Sequence, residues 1–202
     1  MKIAVLGASG RAGSEITAEL VRRGHEVVAI ARTPGSITAT TGITPVNADA
    51  SDPTALAGIL RGSDAVISAL TFEVSAQMLL TALRQAGIRR LLVTGGAASL
   101  KNDRGERMID AADFPETWKP VAMRGVDFLT ELKQEQEIDW VFFSPAFYFV
   151  TGERTGKFRL GKDHLIADGA GDSRISFADY AIAMVDELEQ HRHSRERFTV
   201  GY

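Results

Sequence analysis

Strand-like apolar runs alternate with segments of helical periodicity along most of this chain. The runs occupy residues 3–6, 26–31, 44–49, 64–70, 90–94 and 138–145. Each is short enough to be a strand, and most are apolar enough to be buried on both faces of a sheet. Between the runs, apolar residues recur every three or four positions, as Ile16 and Leu20 do. This alternation predicts an α/β protein with a doubly wound parallel sheet, in one domain spanning residues 1–202.

The first run leads directly into a glycine turn and a helix. Gly7, Gly10 and Gly13 follow the strand, a helical pattern begins near Ser14, and Gly24 ends it. A turn of this kind leaves backbone N–H groups and the positive end of the helix dipole facing the space above it. The position of three glycines within a strand-turn-helix unit therefore predicts a site for the phosphates of a dinucleotide.

The end of the second run indicates which dinucleotide is bound. In such sites an acidic residue about 20 positions beyond the glycines binds the adenosine ribose, whereas an arginine accommodates a 2′-phosphate. No acid follows this run, and Arg32 stands near that position with the Thr33 hydroxyl beside it. The sequence thus favours NADP(H) over NAD(H), although a solvated arginine at a strand end is the simpler alternative.

Further cofactor contacts are expected at the carboxyl ends of the next two runs, because open α/β sheets bind ligands at that edge. Asp49 and Ala50 follow the third run, where an adenine ring could rest, and Leu70 and Thr71 follow the fourth. A turn-forming or capping role is an equally good interpretation of the Asp49 carboxylate.

Small and aromatic residues follow the fifth and sixth runs. Gly95 and Gly96 would let a flat ring approach the backbone closely. Pro145, Ala146 and Phe147 leave the sixth run and are candidate walls of a nicotinamide and substrate pocket. Residues 140–149 include six aromatic side chains, most of which are expected to lie in the core.

The second half of the chain is less regular. Residues 101–116 are rich in charge with few large apolar side chains, which predicts a surface excursion and a candidate lid. A helix is expected over residues 117–136, with Pro120 in its first turn. Residues 157–160 and 164–167 are expected to form a hairpin around a turn at 161–163, residues 174–176 to be extended, and residues 197–200 to close the sheet. The fold is therefore expected to have a modified C-terminal edge.

Composition and charge exclude several classes of function. The net charge of -3 leaves no basic face for nucleic acid. The chain has no cysteine, and its four histidines are scattered, so we expect no disulfide and no metal site. No serine has the glycine pattern of a hydrolase nucleophile elbow. Because no apolar run is long enough for a membrane span or a signal peptide, we expect a cytoplasmic protein that does not contact membranes.

Taken together, the motifs resemble short-chain dehydrogenase/reductase proteins. The glycine turn is similar to their GxxGxxG motif. Residues 95–97, 144–146, 152–156 and 173–181 resemble the atypical NAD(P)H-binding branch, which includes NmrA-like regulators and flavin and biliverdin-IXβ reductases. The resemblance implies a Rossmann fold that binds the cofactor along the edge of the sheet. The implied contacts are Gly7, Ser9, Gly10, Arg11 and Ala12 for the pyrophosphate, Arg32 for the 2′-phosphate, Asp49 and Ala50 for the adenine, and Leu70, Thr71, Gly95, Gly96, Pro145 and Phe147 for the ribose and nicotinamide.

The chain lacks the Tyr-x-x-x-Lys pair that supplies the proton in most active members of this group. Lys119 and Met123 stand near the two positions. Lys119 could donate a proton, but an exposed lysine at a helix start is the simpler interpretation. We therefore expect an NADPH-dependent reductase that transfers hydride to a small planar conjugated acceptor such as a flavin, quinone or tetrapyrrole. The alternative is a non-catalytic NADP(H)-binding redox sensor of NmrA-like type, acting through a protein partner or a homodimer.

Overall fold

Ten strands and five α-helices make up the described part of this computed structural model, which comprises residues 1–33, 35, 37 and 39–202. The strands are β1 (Lys2–Leu6), β2 (Glu26–Ala31), β3 (Ile43–Asn47), β4 (Ala65–Ser68), β5 (Arg90–Thr94), β6 (Asp139–Ser144), β7 (Tyr148–Val150), β8 (Arg159–Gly161), β9 (Arg174–Ser176) and β10 (Glu196–Gly201). The helices are α1 (Arg11–Arg22), α2 (Pro53–Leu60), α3 (Ala76–Ala86), α4 (Lys119–Leu132) and α5 (Phe177–Gln190). Short 3₁₀ helices at Ala97–Ser99, Met108–Asp110 and Glu116–Trp118 lie between β5 and α4.

Eight strands form one sheet in the order β3-β2-β1-β4-β5-β6-β10-β8. All neighbouring pairs are parallel except β10 and β8, which are antiparallel. In the centre, Val5 of β1 is in register with Ala29 on one side and Ile67 on the other. Strand order reverses between β1 and β4, which opens a crevice at their carboxyl ends. The structure confirms the predicted doubly wound parallel sheet and its modified C-terminal edge.

Helices cover both faces of the sheet and bury an apolar core on each side. On one face, α2, α3 and α4 pack against the strands through residues such as Leu56, Leu83 and Leu129. On the other, α1 and α5 contribute residues such as Ile16 and Val185. Burial of one such side chain stabilises the fold by about 1.5–3 kcal/mol. Because the central strands are covered on both sides, they appear in the sequence as continuous apolar runs.

Helix ends follow local sequence signals. The Asp52 carboxylate accepts the Thr54 and Ala55 N–H groups at the start of α2, and Pro53 occupies the first helical turn. Helix α1 begins at Arg11 rather than near Ser14, because it starts directly after the glycine turn. Gly24 follows α1 with φ +81°, a conformation that favours glycine. None of the helices in the described ranges is both long and apolar enough to cross a membrane.

The expectation for residues 101–116 was wrong in part. Ile109 and Phe114 are buried and pack with Ala98 in a small apolar cluster, so the segment is anchored to the fold. Its charged side chains are exposed, as predicted. The two apolar residues follow no helical or strand period, so their burial could not be predicted from the sequence.

The predicted hairpin at residues 157–167 was also wrong. Strand β8 pairs with β10, in register at Leu160 and Val200, and not with residues 164–167. In that return segment, His164 makes an isolated bridge to Lys101. Strands β7 and β9 form a separate two-stranded parallel sheet, which the sequence analysis missed. Both pairings join segments distant in the chain, and the three-residue strands β7, β8 and β9 are too short to carry a recognisable alternation.

Candidate functional site

The glycine turn joins β1 to α1 at the crevice between β1 and β4. Gly7 has φ +74°, and a Cβ there would lie 2.8 Å from the Ala69 carbonyl oxygen beyond β4. A Cβ on Gly13 would lie 2.8 Å from the Gly7 carbonyl carbon, so α1 packs this closely only because Gly13 has no side chain. The Gly7 N–H donates to the Ile30 carbonyl at 2.9 Å. The turn is therefore held between β2, β4 and α1.

The first turn of α1 presents backbone donors that no side chain caps. Gly10 is the N-cap residue, with φ -77° and ψ 168°, and it makes no side-chain capping bond. The N–H groups of Arg11 and Ala12 belong to the orphan donors of a helix start. The Arg11 guanidinium lies 5.2 Å from the centre of the Phe177 ring, which keeps a cation near this end of the helix. The free donors, the helix dipole and this cation together suit an anionic group.

A crevice of about 460 Å³ extends from this turn along the carboxyl ends of β1 to β4. Residues predicted for the phosphates and the adenosine half of the cofactor line it together: Gly7, Ser9, Gly10, Arg32, Thr33, Asp49 and Ala50. Leu70 and Thr71, which were predicted to border the ribose and nicotinamide, line the same crevice. Arg11 and Ala12 lie beside it, on the first turn of α1. The structure thus brings together residues that are far apart in the chain and that the sequence assigned to one ligand.

Arg32 and Asp49 both line the crevice. Both side chains are exposed. The Asp49 carboxylate accepts the Ser51 N–H at 2.9 Å. Hydrogen bonds from Ser51 lower the pKa of Asp49 below its ordinary value, and the Arg32 charge adds to this effect. Asp49 therefore has the turn-forming role that the sequence allowed, while it also borders the crevice.

A second cavity, of about 420 Å³, lies beside the crevice and is bordered by α4. Thr71 lines the crevice and the next residue, Phe72, lines the cavity. Of the predicted nicotinamide contacts, Gly95, Gly96, Pro145 and Phe147 lie in the cavity wall. Its described lining includes no charged side chain. The two spaces have different chemistry, because one is rich in backbone donors and the other is apolar.

Aromatic rings form much of the wall of this apolar cavity. The Phe147 ring centre lies 6.1 Å from that of Phe114, in an edge-on arrangement, and 5.7 Å from that of Trp118. Phe72 packs against Phe128 with ring centres 5.4 Å apart. Phe149 also borders the cavity and contacts Phe177 at 4.2 Å. Such rings offer flat faces for stacking against a planar ligand.

Residues 140–149 divide between core and cavity. Trp140, Phe142 and Phe143 are buried in the core, whereas Phe147 and Phe149 are half-buried and Tyr148 is exposed, so half of the six aromatic residues and not most of them lie in the core. The Phe142 ring requires a glycine at position 95, because a Cβ there would lie 2.7 Å from the Phe142 Cδ1 atom. The small size of Gly95, predicted to let a ligand ring approach, thus also makes room for the Phe142 ring.

Helix α4 and the preceding segment contribute a part of the cavity wall that was not predicted from the sequence. These residues are Phe114, Thr117, Trp118, Val121, Ala122, Gly125 and Val126. From Trp118 onward, the apolar and small members recur at helical spacing, which marks one face of a helix. That spacing alone cannot show whether the face meets the core or a cavity.

Lys119, the candidate proton donor, lies outside this cavity wall. It is the first residue of α4, and its Nζ atom lies 2.5 Å from Glu116 Oε1 on the surface. The cavity lining includes the neighbouring Trp118 but not Lys119. The geometry therefore gives no support for Lys119 as a proton donor.

These features define a Rossmann-fold protein with a dinucleotide crevice beside an apolar cavity. Residues 7–188 match the sequence profile of a family described as NAD(P)H-binding. The chain belongs to this NAD(P)H-binding family, which confirms the resemblance stated from the motifs. The crevice fits such a cofactor, because the uncapped start of α1 presents backbone donors suited to phosphates at one end of it.

Individual relatives extend over the whole chain. The uncharacterized protein YwnB of Bacillus subtilis (strain 168) is 41% identical over 211 residues, covering 99% of this chain and 98% of that protein. A crystal structure of a proposed epimerase from Bacteroides thetaiotaomicron has a TM-score of 0.94 and 42% identity, covering 100% of this chain and 96% of the other. A proposed NADH-flavin reductase from Streptococcus pneumoniae TIGR4 has a TM-score of 0.87 and 37% identity, covering 100% and 99%. The names of these relatives agree on no single reaction.

Proposed function

We propose that this protein is an NADPH-dependent reductase for a small planar conjugated acceptor, such as a flavin, a quinone or a tetrapyrrole. The observation that carries the proposal is the proximity of the two spaces, since the consecutive residues Thr71 and Phe72 line one each. A dinucleotide held in the crevice would end beside an apolar cavity of a size suited to a small ligand. The flavin reductase assignment of the Streptococcus pneumoniae relative supports this choice of acceptor.

The preference for NADPH rests on Arg32. Its exposed guanidinium stands at the carboxyl end of β2, beside the crevice. A guanidinium recognises a phosphate through paired hydrogen bonds as well as charge. We therefore assign Arg32 to the 2′-phosphate of NADPH, with Asp49 and Ala50 bordering the adenine.

The apolar cavity would orient the acceptor and exclude water from it. The faces of Phe147 and Trp118 would hold a planar ring, and the described residues of the cavity lining offer no ionised side chain as a proton donor. A bound reduced nicotinamide supplies a hydride to the acceptor, and the accompanying proton comes from solvent. The protein's contribution is thus orientation and a dry environment.

Cofactor binding and turnover test this proposal separately. We expect fluorescence titration to show tighter binding of NADPH than of NADH, and absorbance at the NADPH band to fall when a flavin or quinone is added. Tight NADPH binding without oxidation by any flavin, quinone or tetrapyrrole would contradict the reductase function.

A matched pair of variants on α4 tests the place of the acceptor. Val121 is 45% exposed and lines the cavity, whereas Met123 is 46% exposed on the same helix and does not line it. Val121→Asp should lower kcat/KM for an apolar acceptor about tenfold, because a charge at the cavity mouth must be desolvated. Met123→Asp should leave it unchanged, and neither variant should alter NADPH affinity. Equal effects of both variants would place the acceptor elsewhere.

A non-catalytic redox sensor is the second candidate, and the absence of an ionised side chain from the described cavity lining favours it. Such a sensor would bind NADP(H) without turnover and transmit cofactor occupancy to a partner through residues 101–116. Limited proteolysis of this segment should then change when NADPH is added. The same cleavage pattern with and without NADPH would argue against a sensor.

A further inference from the structure

Among the described residues that line the apolar cavity, two carry a hydroxyl group, Ser99 and Thr117. Ser99 ends the 3₁₀ helix Ala97–Ser99 directly after β5. Its Oγ atom accepts a hydrogen bond from Arg197 Nη1 at 3.4 Å. Among the described residues, none accepts the Ser99 hydroxyl hydrogen. Ser99 therefore has a hydrogen to donate to a ligand in the cavity.

Arg197 brings a buried positive charge to the back of this hydroxyl. It lies on β10, in register with Phe142 of β6, and only 9% of its side chain is exposed. Its Nη2 atom donates to Asp163 Oδ1 at 2.5 Å, while its Nε atom is buried without a partner in the described chain. The Asp163 carboxylate is 59% exposed, so water screens much of its charge. The cation is thus only partly compensated beside the cavity.

We propose that the Ser99 hydroxyl donates a hydrogen bond to an oxygen of the acceptor and stabilises the negative charge that develops there during reduction. Arg197 is the positioning residue, because its guanidinium polarises the Ser99 hydroxyl without itself lining the cavity. This inference rests on the proposed reductase function. A hydride brings two electrons to the acceptor, which becomes an anion until a proton from water neutralises it. Ser99 keeps its own proton throughout, and no covalent bond to the protein forms.

The ionisation of a bound phenol tests this role without any turnover. We suggest 4-nitrophenol as the probe, because its phenolate absorbs in the visible range and its oxygen carries a negative charge. The ratio of bound phenolate to bound phenol should be about tenfold higher for the wild-type protein than for Ser99→Ala, as expected for a hydrogen bond to a charged group. Arg197→Met should weaken the effect to a similar extent, and Arg197→Lys should restore part of it. Thr117→Val, the matched loss of the other hydroxyl, should change little.

Kinetics supply the second readout. Ser99→Ala should lower kcat for the acceptor about 10- to 100-fold and leave NADPH affinity unchanged, because the hydrogen bond acts mainly on the developing charge. Ser99→Thr, which keeps the hydroxyl, should retain most of the activity. Thermal melting of each variant checks that the fold is intact.

The two proposals fail in different ways. A wild-type protein that does not favour the 4-nitrophenolate, or a Ser99→Ala variant that favours it equally, would overturn the role of Ser99. The reductase function would be overturned if none of the tested acceptors supported NADPH oxidation by the wild-type protein. If the ionisation of bound 4-nitrophenol still depended on Ser99 in that case, Ser99 would remain an oxyanion-binding residue.

Discussion

Arg32 is the residue on which the choice between NADPH and NADH depends in our proposal. Arg32→Asp removes the cation proposed to bind the 2′-phosphate and replaces it with a carboxylate, which repels the phosphate. We expect the Kd of NADPH to rise about 10- to 100-fold, with little change for NADH, in fluorescence titrations. Arg89→Asp is the control, because Arg89 precedes β5 at the opposite edge of the sheet and is also exposed. Equal losses for both cofactors would remove Arg32 from the site.

The sequence alone indicates where a residue lies when its position depends on one turn. Gly7 and Arg32 follow buried strands directly, and Gly10 lies in the turn after the first of them, so parallel packing brings all three to the same edge. The environments of Lys119 and Gly95 could not be predicted in this way. One depends on the surface partner Glu116, and the other on the orientation of the Phe142 ring. Neither is encoded in local spacing.

At the scale of single elements, two helical glycines should respond oppositely to the same substitution. Gly13→Ala would place a Cβ against the Gly7 carbonyl, so we expect destabilisation of roughly 1–3 kcal/mol from overpacking and weaker NADPH binding. Gly58 lies within α2, and a Cβ there would meet no atom within 4 Å. Gly58→Ala should therefore stabilise the protein by about 0.5–1 kcal/mol. Urea denaturation measures both, and destabilisation by Gly58→Ala would show that α2 packs differently.

Helices and strands were predicted more accurately where the apolar pattern of the segment is long and regular. Strand β5 was predicted with the observed bounds, Arg90–Thr94, because its apolar run is uninterrupted. Strands β7 and β9 have three residues each, and only long-range pairing makes them strands. The cavity wall from α4 was missed for a related reason. Helical spacing identifies the apolar face of α4, but what that face contacts is set by tertiary packing.

At the scale of the whole molecule, ion pairs connect α1, α5 and the segment after β7. Glu19 on α1 is only 2% exposed and accepts hydrogen bonds from Arg23 at 2.9 Å and Arg154 at 3.0 Å. Arg23 also contacts Asp186 and Glu189 of α5, each at 2.8 Å. In the sequence Glu19 has no feature that distinguishes it from a surface glutamate. Its burial depends on Arg154, which approaches from a distant part of the chain.

This network predicts an acid-dependent contribution to stability. Burial alone would raise the pKa of Glu19, but hydrogen bonds from Arg23 and Arg154 outweigh it and leave the pKa below its ordinary value of 4.5. Since the folded-state pKa is the lower one, the ionised carboxylate stabilises the fold above about pH 4.5. That contribution is lost as the pH falls through the folded-state pKa.

We therefore expect Glu19→Gln to lower the free energy of unfolding by about 3 kcal/mol at neutral pH. This value is at the lower end of the range for removing one partner of a buried ion pair, because the arginines remain partly exposed. The difference from wild type should shrink in strongly acidic solution, where the wild-type carboxylate is also neutral. Urea denaturation across the acidic range measures this. Glu15→Gln, the same chemical change on the same helix, should cost less than about 0.5 kcal/mol. A Glu19→Gln penalty that stayed constant from neutral to strongly acidic pH would show that packing, and not the charge of Glu19, holds α1, α5 and Arg154 together.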